Sequence, residues 1–151
     1  RQGLIEMVVS DHSPCIEPLK RVDEGDFMKA WGGIAGLQFG LSAVWTEASA
    51  RGFSVDDLAR WMCSRPARHA GLSEKKGEIV AGADADFCVF DPDATYVVDA
   101  SRILHRNKLT PYEGRTLRGA VRSTYLRGEL VYDGAPPSTA PKGRWLRGER
   151  R

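Results

Sequence analysis

Asp11 and its neighbours are the residues of this chain whose types are best suited to chemistry. Ser10-Asp11-His12-Ser13-Pro14-Cys15 gathers a carboxylate, an imidazole, two hydroxyls and a thiol within six positions, directly after the apolar run Leu4–Val9. That run, with Met7, Val8 and Val9 consecutive, predicts a strand buried on both faces. The C-terminal ends of such strands are where parallel α/β architectures keep their reactive groups. A carboxylate there can ligate a hard or borderline cation, act as a general base, or simply cap a turn beside Ser13 and Pro14. His12 reads first as a structural residue. His69 and His105 have no His, Asp or Cys neighbour at metal-ligand spacing. The chain thus offers one credible ligand where a catalytic metal usually takes three from the protein.

The elements that must position these residues follow in order. After a charged irregular segment, Glu17 to Asp26, and the short apolar piece Phe27–Trp31, Gly32-Gly33-Ile34-Ala35-Gly36 predicts a loop where backbone can approach a neighbour closely. Leu37, Leu41, Val44, Trp45 and Ala48 then share one face of a helix ending near Gly52. Ser54 is the expected N-cap of a second helix, with Asp56 and Asp57 in its first turn and Val55, Leu58, Ala59 and Met62 as its apolar face. Pro66 suits the start of a third, short helix closing at Gly71-Leu72. Beyond residue 77 the pattern is β: Phe87–Phe90 ending at Asp91-Pro92, then Thr95–Val98, then Val121–Leu126 and Leu130–Tyr132 flanking Arg127-Gly128-Glu129 as a hairpin. The chain ends in a Pro/Gly/Arg tail from Pro136.

Composition bounds the function. The 151 residues are 42% hydrophobic and 28% charged, enough apolar material for a core and too little contiguous apolar sequence for a membrane span. Three cysteines without CxxC spacing exclude a disulfide framework and a zinc finger and fit a reducing, cytoplasmic compartment. Residues 1–100 carry 10 Lys/Arg against 16 Asp/Glu, whereas residues 101–151 carry 12 against 4, a balance of −6 against +8. The arginines of the basic third are scattered without aromatic interleaving, which favours a solvated face over a nucleic-acid partner.

Three segments carry a resemblance. Ser10–Cys15 followed by Lys29-Ala30-Trp31-Gly32-Gly33-Ile34-Ala35-Gly36-Leu37-Gln38-Phe39 resembles the C-terminal part of the allantoinases. These belong to the cyclic-amidohydrolase branch of the amidohydrolase superfamily, with dihydropyrimidinase/hydantoinase and dihydroorotase. Gly77-Glu78-Ile79-Val80-Ala81-Gly82-Ala83-Asp84-Ala85-Asp86 resembles the segment by which those chains return from a barrel to a small β-sandwich. Lys108-Leu109-Thr110-Pro111-Tyr112, Gly114-Arg115 and Pro141-Lys142-Gly143 extend the likeness over nearly the whole chain, with Asn107 departing from an expected histidine.

The resemblance implies an α/β fold, the last strand and closing helices of a metal-dependent (β/α)8 TIM barrel (residues 1–76) followed by sandwich strands (77–135) and a tail (136–151). It implies hydrolysis of the cyclic amide of allantoin to allantoate with a binuclear Zn²⁺ centre. Asp11 matches the family's metal-binding general base. Ser13, Cys15 and the backbone of Gly33, Ile34, Ala35 and Gly36 match substrate-facing positions, with His12 behind them. The family's remaining metal ligands have no counterpart here, and a (β/α)8 barrel needs about 250 residues. Together with an opening residue, Arg1, that is not Met, this leads to the expectation of a C-terminal portion, inactive alone. Its partners would be the small substrate, the N-terminal remainder and, as commonly in the family, further copies in a tetramer. The alternatives are another cyclic amidohydrolase or a non-catalytic interaction domain using the basic third.

Overall fold

The computed structural model describes residues 3–135 and 140–147, so the ends of the expected tail, 136–139 and 148–151, lie outside the described residues. The central helix, α2 (Gly40–Ala50), is preceded by a 3-10 turn, Leu37–Phe39. Its predicted face is the observed one: Trp45 and Ala48 are buried, and Leu41 and Val44 pack beside them. Leu37 departs from that face and lies exposed in the 3-10 turn. Ser54 caps α3 (Val55–Ala59) as expected. Its hydroxyl accepts from the Asp57 amide at 3.2 Å while the Asp57 carboxylate accepts from the Ser54 amide at 3.0 Å, a reciprocal box. Of this helix's predicted apolar face Leu58 is buried, whereas Val55 and Ala59 are exposed.

Pro66 stands in the first turn of α4 (Arg65–His69), as expected, but no break separates that helix from α3: a π-helical turn, Arg60–Ser64, joins the two. A proline lacks the amide its turn requires and crowds the carbonyl four residues back, here that of Met62, and the widened turn relieves both problems.

The β portion is one antiparallel sheet in the order β1 (Phe87–Val97), β2 (Thr116–Leu126), β3 (Glu129–Tyr132). Two of the expected strands are a single one. β1 passes through Asp91-Pro92-Asp93-Ala94 as a bulge, where the Asp91 carboxylate accepts the Asp93 and Ala94 amides, both at 3.1 Å. Proline is tolerated at such an irregularity because the ladder needs no donor there. The hairpin turn is tighter than predicted: Arg127 and Gly128 form it, both at positive φ, and Glu129 already pairs with Leu126.

The expected strand at Leu4–Val9 forms no ladder. Leu4 and Ile5 are 84% and 76% exposed, and the segment is tied down by the Val8 amide donating to the Trp61 carbonyl at 3.0 Å. A strand buried on both faces needs a neighbour along each edge, and the described residues supply none.

Two apolar clusters join helices to sheet. Phe39, Val98, Ile103 and Leu117 form one; Trp45, Ala48 and Leu58 form the other, with Phe90 and Met62 against it. Gly119 on β2 lies against the second of them. It holds φ +86°, and a Cβ there would fall on the Phe90 ring and lie 2.6 Å from the Trp45 indole. The indole packs edge-on to Phe90 and donates to the Pro92 carbonyl at 2.9 Å. The Thr46 hydroxyl completes the junction by accepting the Arg118 amide at 2.8 Å.

Behind the sheet, Lys76 pairs with Asp84 at 2.8 Å and with Asp86, whose other oxygen accepts the Arg127 amide at 2.8 Å. The Gly-x-Asp-Ala-Asp segment thereby fastens the end of the helical run to the hairpin turn. Burial alone would raise the Asp86 carboxyl; Lys76 and the Arg127 amide outweigh it and hold it below its ordinary 3.8. Burial likewise opposes the Lys76 charge, and the two aspartates reverse that, lifting it above 10.5.

Gly119→Val adds side-chain atoms where none fit, at a φ that β-branched residues avoid, and should cost roughly 2–4 kcal/mol in denaturant unfolding. Gly40→Ala, at φ −56° with open space around it, should instead be neutral or stabilising by up to about 1 kcal/mol. For the Lys76 junction, the depressed Asp86 adds stability that is complete above its unfolded pKa and disappears as pH falls through the folded one; the raised Lys76 adds stability lost only as pH climbs beyond 10.5. Lys76→Met should therefore melt below the parent at pH 7, with the gap closing on acidification below about pH 4. A gap independent of pH would contradict the ion-pair account.

Candidate active site

The candidate residues sit on two segments that run side by side. The Ser13 amide donates to the Ile34 carbonyl at 2.9 Å, and His12 and Ile34 form an isolated parallel bridge. This seats residues 10–15 against the glycine-rich loop. The approach is close: a side chain at Gly33 would coincide with that of Ser13, which is the physical reason for glycine there. The Trp31 indole N–H donates to the Ser13 hydroxyl at 3.3 Å. His12 Nδ1 accepts the Leu37 amide at 3.2 Å, leaving the ring proton of a neutral imidazole on Nε2. His12 thus orients the start of the helical run, consistent with a supporting place behind the site.

Asp11 lies at the edge of this pairing, exposed and, among the described residues, without an ion-pair or hydrogen-bond partner. An exposed carboxylate in that position is open to accept a proton or to bind a cation. Cys15 is half-buried and a free thiol. The structure brings together His12, Ser13, Gly33, Ile34, Ala35 and Gly36, with Asp11 and Cys15 on the flanks of the same segment. Among the described residues no three His, Cys, Asp or Glu side chains converge as a metal site. The residues present therefore do not by themselves fit a metal; Asp11 offers one donor.

Sequence reasoning missed four contributors. Lys20, at the end of α1 (Glu17–Lys20), donates to the carbonyls of Trp31 at 2.8 Å and Gly33 at 2.5 Å. Trp31 adds its indole bond to Ser13. Thr110, buried, donates its hydroxyl to the Ala35 carbonyl at 2.7 Å. His105 packs edge-on to His12 with ring centroids 5.0 Å apart, and both its ring nitrogens are buried without a partner among the described residues. Burial, then the neighbouring His12 and Lys108, push its pKa down from 6.5. Trp31 and Thr110 lie within the segments that carry the resemblance and were legible only as members of them. Nothing in spacing pointed to Lys20 or His105.

A cavity of about 510 Å³ lies elsewhere, between α2 and the start of β2, lined by Val44, Glu47, Phe53, Trp61, Arg115 and Leu117 among others and by no residue of 10–36. It has no part in this arrangement.

The chain is 53% identical over 145 residues to an allantoinase of Streptomyces avermitilis, covering 95% of this chain and 31% of that one. It is 43% identical over 152 residues to an allantoinase of Saccharomyces cerevisiae, covering 100% and 32%. Among solved structures it matches a D-hydantoinase (dihydropyrimidinase) from Thermus sp., with TM-score 0.86 and 26% identity over 98% of this chain and 33% of that one. An L-hydantoinase from Arthrobacter aurescens matches with TM-score 0.82 and 33% identity over 91% and 31%. The chain spans about a third of the length of these relatives, and its backbone is that of a portion of the TIM-barrel amidohydrolase fold. Residues 2–131 match the amidohydrolase family, and the chain belongs to that family.

Proposed function

We propose that this chain is the C-terminal portion of an allantoinase, which hydrolyses the cyclic amide of allantoin to allantoate. The observation that carries the reading is the seating of residues 10–15 against 33–36, with an exposed carboxylate beside a surface of backbone amides. Allantoin is preferred to the hydantoins because relatives named allantoinase are 41–53% identical to this chain over the aligned residues, against 26–33% for the hydantoinase structures.

In this reading, residues 1–76 complete a barrel and residues 77–135 contribute to a β-sandwich. Hydrolysis adds water across the ring amide: oxygen bonds the carbonyl carbon, the carbon–nitrogen bond breaks, and a proton must travel from the water to the departing nitrogen. Asp11 accepts that proton as the bond to oxygen forms and returns it to the nitrogen as the ring opens, a transfer for which an exposed, unpaired carboxylate is suited. Ser13, its hydroxyl fixed by Trp31, and the amides of the glycine-rich loop hold the ring's oxygens and so orient the scissile carbonyl. Asp11 would also be this chain's single donor to a zinc centre whose other ligands lie outside this sequence. The N-terminal remainder and further copies of the chain are the partners this reading implies, and a cytoplasmic location is its expectation.

The test is allantoate release by the natural protein that carries this chain, supplied with Zn²⁺. Asp11→Ala and Asp11→Asn should each lower kcat by about 10²–10⁴-fold, while Ser13→Ala should raise KM for allantoin more than it lowers kcat. An Asp11→Ala protein with undiminished activity would sink the assignment, and a parent that opens hydantoin but not allantoin would replace the substrate.

A further inference from the structure

The Asp11 segment is tied to the glycine-rich loop in two places. The first is the backbone bridge between His12 and Ile34, with the Ser13 amide on the Ile34 carbonyl at 2.9 Å. The second is a side-chain bond, the Leu37 amide on His12 Nδ1 at 3.2 Å. A bridge one residue long leaves two segments free to pivot; the second tie fixes the angle between them. The Asp11 carboxylate, exposed and with no partner of its own among the described residues, stands wherever that angle puts it. The second tie is also the more vulnerable, because it lies at the surface, where water competes for both donor and acceptor.

His105 stands behind that bond. Its ring packs edge-on to His12, with centroids 5.0 Å apart. Both its nitrogens are buried with no partner among the described residues, so the ring offers His12 a surface and not a hydrogen bond. The ring is itself held in place. Two residues back, Ile103 is enclosed in the first apolar cluster, and Lys108 donates to its carbonyl. The Leu104 amide donates to the Gln38 side-chain carbonyl at 2.7 Å, and the Gln38 side-chain NH2 donates to the Arg102 carbonyl at 3.2 Å. Gln38 follows Leu37 directly. The contacts therefore close on themselves: His12 to Leu37, along the chain to Gln38, across to Leu104, along the chain to His105, and back to His12. In a closed circuit no member turns without moving the next, and the His12 ring stays on the Leu37 amide.

We infer that His105 is a positioning residue for the hydrolysis: its ring closes this circuit, keeps His12 bonded to Leu37, and thereby fixes the angle at which Asp11 faces the glycine-rich loop. His105 acts only through His12. This rests on the hydrolase reading above, and it brings a residue of the 77–135 portion to bear on a site carried by residues 10–36.

The experiment compares His105→Ala, His105→Phe, His12→Ala and the double variant of His12→Ala with His105→Ala against the parent, each as the natural protein carrying this chain. Steady-state hydrolysis of allantoin is one readout; amide hydrogen exchange at Leu37, β1 and β2 is the other. In His105→Ala, kcat should fall by about 10–10²-fold, the scale on which small misplacements of a reacting group act. KM should stay within about two-fold, because Ser13 and the loop keep their own contacts. Exchange at Leu37 should accelerate about ten-fold or more, with β1 and β2 as in the parent. His105→Phe, which keeps a ring and lacks the unpaired nitrogens, should retain most of the parent's kcat and Leu37 protection. The double variant should be no worse than His12→Ala, since residues that act in series do not add. Unchanged kcat or unchanged Leu37 exchange in His105→Ala overturns the inference, as do additive losses in the double variant. A His105→Phe protein as impaired as His105→Ala overturns it by placing the effect in the imidazole nitrogens. Faster exchange throughout β1 and β2 also overturns it, by showing a general fold defect. If the parent itself opens no cyclic amide, the functional reading fails, and exchange at Leu37 still decides whether His105 holds His12.

Discussion

The distance between α2 and β2 governs the rest of the molecule, and it is set by a missing side chain. Gly119 lets the Trp45 indole and the Phe90 ring reach the β2 backbone, at a φ that only glycine holds easily. With α2 lodged there, its leading turn places Phe39 in the cluster with Val98, Ile103 and Leu117. The same turn brings the Leu37 amide to His12 and the Ala35 carbonyl to Thr110. Both sides of the candidate site thus inherit their spacing from one contact remote from Asp11. A residue far from the chemistry can therefore matter to it through rigid-body placement of a helix, without belonging to any pathway of side chains.

Much of the local architecture was legible because it is decided within a few residues. The 3.6-residue apolar period of α2, the Ser54 cap with Asp57 three residues on, and the Arg127-Gly128 turn each depend on neighbours in sequence, and each stands in the structure. The misreadings share a cause. Leu4–Val9 has the composition of a central strand, and whether it forms a ladder depends on partners remote in sequence. Asp91-Pro92 reads as a strand end, yet Arg122 pairs with the Asp91 carboxylate at 2.7 Å and Arg118 with Asp93 at 2.8 Å, so β2 carries the strand through its bulge. Pro66 does stand in the first turn of α4, and what its neighbours do not disclose is the π turn that joins this helix to α3 without a break.

The site divides along the same line. Asp11, Ser13 and the small loop residues announce themselves by type: a carboxylate after an apolar run, and glycine where backbone must approach backbone. Lys20, Thr110 and His105 do not, because a lysine, a threonine or a lone histidine is ordinary on any surface. What ties them to the candidate site is where their partners lie, on the far side of an excursion or across the junction to the sheet. Family resemblance reached Trp31 and Thr110 as members of matching segments without saying what either does.

The two halves of the molecule are stabilised by different forces. From Phe39 onward, apolar burial dominates, with Val98 and Ile103 almost wholly enclosed. Between Leu4 and Ile34 the large apolar side chains mostly face outward, Phe27 and Met28 almost completely. The geometry there rests on hydrogen bonds donated by Lys20, Ser13 and Trp31 and on the one that His12 accepts from Leu37. A neutral bond contributes only about 1 kcal/mol net, whereas one from a charged donor contributes more and fixes direction as well. Hydrogen bonds hold angles more tightly than dispersion contacts do, so a loop built on them can be accurate without being stable. With few contacts shared with either apolar cluster, residues 10–36 form a region that opens at low cost.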